Sequence, residues 1–272
     1  FYTPRLHFKY TFSNSTILRL SAGKGYRSPN PLSENSNLLA SSRAIIIAND
    51  IKMENAWNYG ITLSRDFKIA GKKVSLYGEY YRTDFINQVV TDIDANASQA
   101  LIHNNNGASF SNNYQLEMTI TPIKRLELLV AYRLSDVRAN YNGSLQERPL
   151  INNYKALSTL SYFTNMKKWQ FDITAQFNGG GRLPDSYILP GQSKAGGSFS
   201  SYTMINGQIT KNFRSWSLYT GVENALDFRQ TNPIIGTDNP FGKTFDSSVI
   251  WGPIEGRMVY AGVRIVFNEF FE

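Results

Sequence analysis

Cysteine is absent from the 272-residue sequence, histidine occurs twice and tryptophan four times. The first absence excludes disulfides, thiolate metal sites and cysteine nucleophiles together. Missing too is any run approaching the roughly 18 apolar residues a membrane helix requires, and mean hydropathy is -0.33. A helical membrane protein is thereby excluded. The chain does not open on a basic start, apolar core and small-residue cleavage site. A leader is therefore expected to have been removed, or the natural N-terminus to lie elsewhere. The formal charge is +7, but Lys and Arg are scattered through turns and alternating segments, with no block and no helical stripe. Nucleic acid is not expected as a partner on that pattern. Acidic lipid headgroups or anionic ligands would suit the same charge.

What the chain has is aromatic residues, 14% of the total, with frequent glycine, a bias towards strands and turns. Strict alternation is the dominant pattern. In "WNYGITLSRDF" the residues Trp57, Tyr59, Ile61, Leu63 and Phe67 share one parity, and Asn58, Thr62, Ser64 and Asp66 the other. "WQFDITAQFN" repeats it, with Trp169, Phe171, Ile173, Ala175 and Phe177 against Gln170, Asp172, Thr174, Gln176 and Asn178. Each is a strand with one apolar face. Such strands are predicted at 3–12, 16–26, 54–67, 73–85, 110–121, 125–137, 153–163, 168–178, 201–213, 216–227 and 256–267.

The connections alternate in length. Short ones fall at 13–15, 69–72, 122–124, 164–167 and 214–215, and long polar ones at 27–53, 86–109, 138–152, 179–200 and 228–255. Up-and-down antiparallel strands produce this, because successive junctions lie at opposite ends of the sheet. A soluble sandwich or propeller would have strands of about five or six residues and less regular loop asymmetry. Strands of about ten residues, tight turns at one end, long loops at the other and aromatics near strand ends indicate a transmembrane β-barrel. The fold class expected is all-β, an antiparallel up-and-down barrel. Single-chain bacterial barrels have even strand numbers and an unpaired edge cannot sit in hydrocarbon, so a count of about eleven implies either one further strand, giving a barrel of twelve, or a larger barrel whose N-terminal part is not in this chain.

Four segments carry a resemblance. "SAGKGYRSPNPLSENSNLLASSR" (21–43), "ENAWNYGITLSRDF" (54–67), "GVENALDFRQTNP" (221–233) and "YAGVRIVF" (260–267) resemble, in order, segments of the TonB-dependent outer-membrane receptors. The last resembles the barrel-assembly signal, through Tyr260, Gly262, Ile265 and Phe267, although "NEFFE" follows and Phe271 competes for the terminal aromatic role. Such receptors have about twenty-two strands around a plugged lumen. The resemblance implies that 1–272 is the C-terminal part of the barrel, its last eleven or so strands, with plug domain and N-terminal strands not in this chain. It implies an outer-membrane receptor and transporter, importing a scarce nutrient bound in its extracellular loops with TonB-supplied energy. The partners implied are the TonB complex (through the absent plug), the outer-membrane assembly machinery, outer-membrane lipid and lipopolysaccharide, a small-molecule or oligomeric nutrient, and a surface lipoprotein. Siderophore-iron or a cobalamin-like ligand is favoured, with glycan or peptide as further classes. Haem is disfavoured, since haem receptors of the family carry a histidine in the segment equivalent to 27–53, which has none. The alternative is a self-contained passive pore or autotransporter translocator of about twelve strands, which would need a lumenal helix or constriction.

No catalytic residue, metal ligand or cofactor site is expected. His103 is followed by Ser109 and Ser111 without an orienting acid, and Asp92 and Asp94 lack a ligand frame with it. "GGGRLP" (179–184) lacks the Lys-Ser/Thr pair of a phosphate loop. The ligand-binding candidates are Arg27, Asn30, His103, Asn105, Tyr187, Phe241 and Trp251, all in long loops or at their margins, where aromatic faces stack and polar groups bond a ligand's rim. Internal packing of the loops competes with that role. Glu79, Glu117, Glu127, Arg133, Asp172 and Arg264 project on the polar parity, and the resemblance makes them plug-facing. His7 is expected in the lumen near the tight turns, and Ile45, Ile46 and Ile47 are expected to pack the first long loop down.

Overall fold

The computed structural model describes residues 1–141, 143–187 and 196–266. The chain forms β1 (Arg5–Ser13), β2 (Thr16–Arg27), α1 (Pro31–Glu34), β3 (Ala44–Ile47), β4 (Glu54–Ile69), β5 (Lys72–Ile86), β6 (Val89–Asp92), β7 (Gln99–Asn104), β8 (Phe110–Ile123) and β9 (Leu126–Tyr141). It continues through β10 (Ser144–Glu147), β11 (Tyr154–Phe163), β12 (Trp169–Asn178), β13 (Gly181–Arg182), β14 (Ser198–Phe199), β15 (Tyr202–Asn212), β16 (Trp216–Glu223) and β17 (Met258–Ile265). The main sheet is antiparallel in the order β1-β2-β4-β5-β8-β9-β11-β12-β15-β16-β17, with β10 folded back on β9. All eleven strands on that path are those the alternation predicts. Among the described residues the path is open, β1 pairing only with β2 and β17 only with β16, so closure as a barrel of twelve strands is not observed.

Two adjacent rows show how the sheet is built. Leu20, Ile61, Tyr80, Tyr114, Leu134 and Tyr154 stand opposite one another across six strands. One residue along, Arg19, Thr62, Glu79, Gln115, Arg133 and Lys155 do the same. The first row is apolar or aromatic and exposed or half-exposed, and the second is polar, with Arg133 donating to Gln115 within it. Ile61 is 43% exposed while Thr62 beside it is 6% exposed. A sheet whose apolar face is the open one is inverted relative to a water-soluble protein, and it is satisfied when that face meets lipid. Strands of 14 to 16 residues, such as β4, β5, β8 and β9, outrun a bilayer and carry their ends into the loop layer.

The tight turns are hairpins of the expected kind. Ala70 and Gly71 both have positive φ, 48° and 75°, the pairing a two-residue turn needs to match strand twist. β16 stops at Glu223, short of the expected 227, because Asn224 and Asp227 take left-handed φ of 48° and 56° and leave the ladder.

The long loops hold structure that alternation does not reveal. β3 runs parallel to β7, and β6 antiparallel to it, making a three-stranded sheet from two different loops. The isoleucines 45–47 form the strand β3 within this sheet. Ile45 packs against Leu38, Ile93 and Ala100. Ile46 and Ile47 are exposed, so only the first of the three packs its loop down; Ile46 points to the opposite face of the strand, and Ile47, on the same face as Ile45, lies at the strand's end.

Candidate functional site

The long loops gather over one end of the sheet, and two arginines bind them together. Arg43, at the end of its own loop's helical turns, is buried. Its Nε and Nη2 donate to Asp246 Oδ2 at 2.9 and 2.8 Å. Its Nη1 donates to the carbonyls of Asn96 and Gln99 at 3.1 and 3.3 Å. Arg182 makes a two-pronged pair with Asp94, Nη1 to Oδ1 and Nη2 to Oδ2 both at 2.8 Å, and its Nε donates to Glu147 O at 2.6 Å. Its guanidinium also lies 5.3 Å from the Tyr141 ring centroid. Asp94 is fully buried and accepts a third bond from the Asp185 N–H at 2.7 Å. The first arginine joins the loops 28–53, 87–109 and 224–257, and the second joins 87–109, 142–153 and 179–201. Because 87–109 meets both, all five long loops form one plate.

Burial alone would lower the Arg182 pKa, but the hydrogen bond and charge of Asp94 outweigh it and the net direction is upward. A buried ion pair holds when, as here, its geometry is two-pronged and further hydrogen bonds satisfy the remaining polar atoms. Apolar packing completes the plate. Leu183, Tyr187, Phe199 and Val249 form a buried cluster with Leu150, Ile235 and Trp251 against it. Burial pushes the Tyr187 hydroxyl pKa up, with the Asp246 charge adding to it. Trp251 stacks on Phe199 with ring centroids 4.9 Å apart, and Tyr202 stacks on Phe228 at 4.8 Å beside it. Gln230 closes the last loop, its Oε1 accepting from the Trp251 and Gly252 N–H groups at 2.8 and 3.0 Å and its Nε2 donating to Val249 O.

The seven ligand candidates are not brought into one cluster. Arg27 is held by Glu34 at 2.7 Å and by Glu54, fastening α1 to the sheet. Asn30 caps α1 by accepting from Ser33 N at 3.3 Å. Asn105 is buried and braces its turn through Gly107 O, Ala108 O and the Asn140 N–H. Tyr187 and Trp251 are in the aromatic packing just described. His103 lies opposite Val90 in the loop sheet, half-buried, its Nδ1 2.8 Å from Asn104 O. Phe241 is fully exposed. Tyr187 and Trp251 are taken up in loop packing and Asn105 is buried, whereas Arg27, Asn30 and Phe241 remain exposed and His103 half-buried. Asp92 Oδ1 accepts from the Asp94 N–H at 2.8 Å, so those two carboxylates serve their own loop and Arg182.

The six polar-face residues all take the inward parity. Glu79 accepts from the Tyr77 hydroxyl and Glu117 from Gln115. Arg133 donates to Gln115 Oε1 at 2.7 Å, and Asp172 accepts from Ser161 at 2.6 Å and Gln170 at 2.8 Å. Glu127 faces Ser161 and Arg264 faces Ser217 in register. His7 is inward as expected, but it lines a cavity of about 420 Å³ with Arg5, Arg27 and Glu54 towards the long-loop end, not the tight-turn end, because β1 begins two residues before it. Of the terminal-strand residues, Tyr260 donates to Gln208 Oε1 at 2.9 Å. Gly262 lies opposite Tyr219, whose ring occupies the space a Cβ would take. Ile265 is exposed on the apolar face. Phe267 and Phe271 lie outside the described residues.

As fastenings of the plate, Arg43, Asp94, Arg182, Gln230 and Asp246 are not read from the sequence, where Asp94 is weighed only as a metal ligand and Arg182 only as a loop residue facing ligand. Their partners are as much as 203 residues away, and a polar loop residue gives no signal of that distance.

Solved structures similar to this one include a siderophore receptor and metal transporters. The structure is similar to "Copper transporter OprC" (TM-score 0.69, 14% identity, 97% of this chain and 39% of that chain). It is also similar to the siderophore receptor PirA from Acinetobacter baumannii (TM-score 0.65, 15% identity, 97% and 41%). A third is the FrpB iron transporter from Neisseria meningitidis (TM-score 0.63, 13% identity, 96% and 38%). At these identities the likeness is one of fold, and the chain spans about two fifths of each of those structures. No curated protein matches the sequence. Residues 1–225 match the family described as "TonB dependent receptor-like, beta-barrel", and the chain belongs to that family.

Proposed function

We propose that this chain supplies the C-terminal part of an outer-membrane receptor that binds a scarce nutrient on its long loops and imports it with energy from the TonB complex. The observation that carries the reading is the two-ended construction. One end of an inverted, lipid-facing sheet bears a rigid plate of five loops, and the wall beneath it is polar and hydrogen-bonded. A passive pore gains nothing from loops locked by buried ion pairs, whereas a receptor needs a fixed surface to recognise its ligand.

The open edges of β1 and β17 require further strands in a bilayer, which supports a larger barrel whose remaining strands and plug lie upstream. Glu79, Glu117, Glu127, Arg133, Asp172 and Arg264 would face that plug. Phe241 and His103, with the exposed Ile46 and Leu101 of the loop sheet, would meet ligand or a capping lipoprotein. A ferric siderophore is the favoured cargo, with a cobalamin-like ligand next. The Ser109 hydroxyl donates to Gln88.

Uptake assays on cells lacking the full-length receptor test this. Loss of accumulation of one labelled ferric siderophore or cobalamin, restored by the wild-type gene and abolished again when the proton-motive force is collapsed, is expected. Accumulation unaffected by that collapse would assign the barrel to passive diffusion instead.

A further inference from the structure

The tight-turn end differs in charge from the loop end. The successive turns at 124–125, 164–168 and 213–215 contribute Lys124, Arg125, Lys167, Lys168 and Arg214. The last two turns are fastened together, since Asn212 donates from its backbone to Lys168 O at 2.8 Å and from its side chain to Lys167 O at 2.7 Å. Beside this junction stands Lys211, on the apolar, outward parity, opposite Trp169 and Leu218.

Its ammonium lies 4.3 Å from the Trp169 ring centroid and 5.9 Å from that of Phe213. Phe213 in turn stacks on Trp216 at 4.0 Å. Among the described residues Lys211 has no carboxylate partner, and its outward neighbours Trp169, Leu218, Ile209 and Phe213 are uncharged. A cation held on aromatic faces at the edge of an apolar belt is positioned for an anion at the membrane interface.

Along the same strand from Lys211, the outward residues are Ile209 and then Gly207. Gly207 leaves a gap in the apolar face, where a Cβ would have no neighbour closer than 3.7 Å. The gap is an apolar groove of about 400 Å³ rimmed by Phe171, Ile173, Ile209 and Val222. It lies about 13 Å from Lys211, four residues at strand rise. A cationic, aromatic-walled head site and an apolar groove thus follow one another along a strand that in a barrel is tilted about 35–45° from the membrane normal, in the order a phospholipid presents its phosphate and its acyl chain.

We propose that this face is a binding site for an anionic glycerophospholipid of the leaflet bordering the tight turns, with its phosphate at Lys211 and an acyl chain in the groove at Gly207. Lys167, Lys168 and Arg214 supply the surrounding positive field. The site rests on the reading of the sheet as an outer-membrane barrel, in which the tight turns border the periplasm. Charge complementarity selects the occupant: a zwitterionic lipid would fill the groove equally well but offers the basic rim no net charge.

Native mass spectrometry of the full-length receptor decides it, with phosphatidylglycerol and phosphatidylethanolamine of matched chains offered at equal concentration. The wild type is expected to retain phosphatidylglycerol in preference. Lys211→Gln should reduce that preference about fivefold, the effect of one basic residue at an anionic surface, ~1 kcal/mol. Gly207→Leu, which fills the groove, should lower retention of both lipids. Lys24→Gln, outward at the other end, should leave the preference unchanged. Equal retention of the two lipids by wild type, or an undiminished preference in Lys211→Gln, overturns the site while leaving the barrel reading intact. Absence of the receptor from the outer-membrane fraction overturns both.

Discussion

Replacing Arg182 by methionine should loosen the loop plate and leave the barrel alone. The substitution removes both prongs of the pair with Asp94 and the bond to Glu147 O, leaving a carboxylate with 0% side-chain exposure and one remaining donor, the Asp185 N–H. An uncompensated buried charge costs about 3–5 kcal/mol. That cost falls on the equilibrium for opening the plate, because no strand of the main sheet depends on Arg182. At 1.4 kcal/mol per tenfold, protected loop amides should exchange roughly 10² to 4 × 10³ times faster. The N–H of Leu150, bonded to Arg182 O, and that of Leu183, bonded to Gly197 O, are suitable reporters. Amides in the β11–β12 ladder serve as the internal control. The double variant Asp94→Leu with Arg182→Leu removes both charges and should recover most of the loss, since apolar replacement of a buried pair is often neutral or stabilising by about 1–4 kcal/mol. The Asp185 N–H would still lack its acceptor, at about 1 kcal/mol. Hydrogen exchange followed by mass spectrometry on the full-length receptor reads all of this. Equal acceleration in the single and double variants, or none in the single, would refute the claim that an unpaired charge is what opens the plate.

The lipid-facing assignment predicts that Ile173→Lys costs about 2–4 kcal/mol in bilayer stability and Thr174→Lys little, measured by unfolding titrations in lipid; equal losses would mean a misassigned face. For the terminal strand, deletion of 260–272 should abolish outer-membrane levels of the receptor, and Phe267→Ala should reduce them without altering ligand contact, both scored by cell fractionation. Gly262→Val should also lower those levels by displacing the Tyr219 ring. If Tyr219→Ala rescues it, Gly262 acts by making room, and if the double variant stays defective, it acts as part of the assembly signal.

The strands were legible because nothing in their surroundings competes with the period of two. Ile61 and Thr62 meet the same two environments as Ile173 and Thr174 a hundred residues later, so the alternation is repeated without tertiary correction. Hairpin connectivity then fixes which strands are neighbours. The loops lack both aids. Asp94 and Arg182 are 88 positions apart and Arg43 and Asp246 are 203 apart, and no local pattern distinguishes an arginine that ties loops from one that binds ligand. Tyr187 and Trp251 illustrate the same difficulty: a loop aromatic reads as a ligand face, yet a plate of irregular backbone needs apolar mortar of its own, and these two supply it. Phe241, on the same reasoning, stands out only once the structure shows that nothing covers it.

The sheet and the plate are held by different forces, and this separates their tolerance to change. The sheet rests on a ladder of backbone bonds and on contact between Leu, Ile, Phe and Tyr side chains and lipid, so any apolar residue of similar size serves at most outward positions. The plate rests on two guanidiniums whose bonds are directional and whose partners are desolvated, so it fails when either carboxylate is lost but is little affected by the exposed residues between them. Side chains such as Phe241, His103 and Ile46 can therefore vary without disturbing Arg43 or Arg182. On the function proposed above, a surface with that property can be altered for a new ligand while the scaffold beneath it, and the barrel beneath that, remain unchanged.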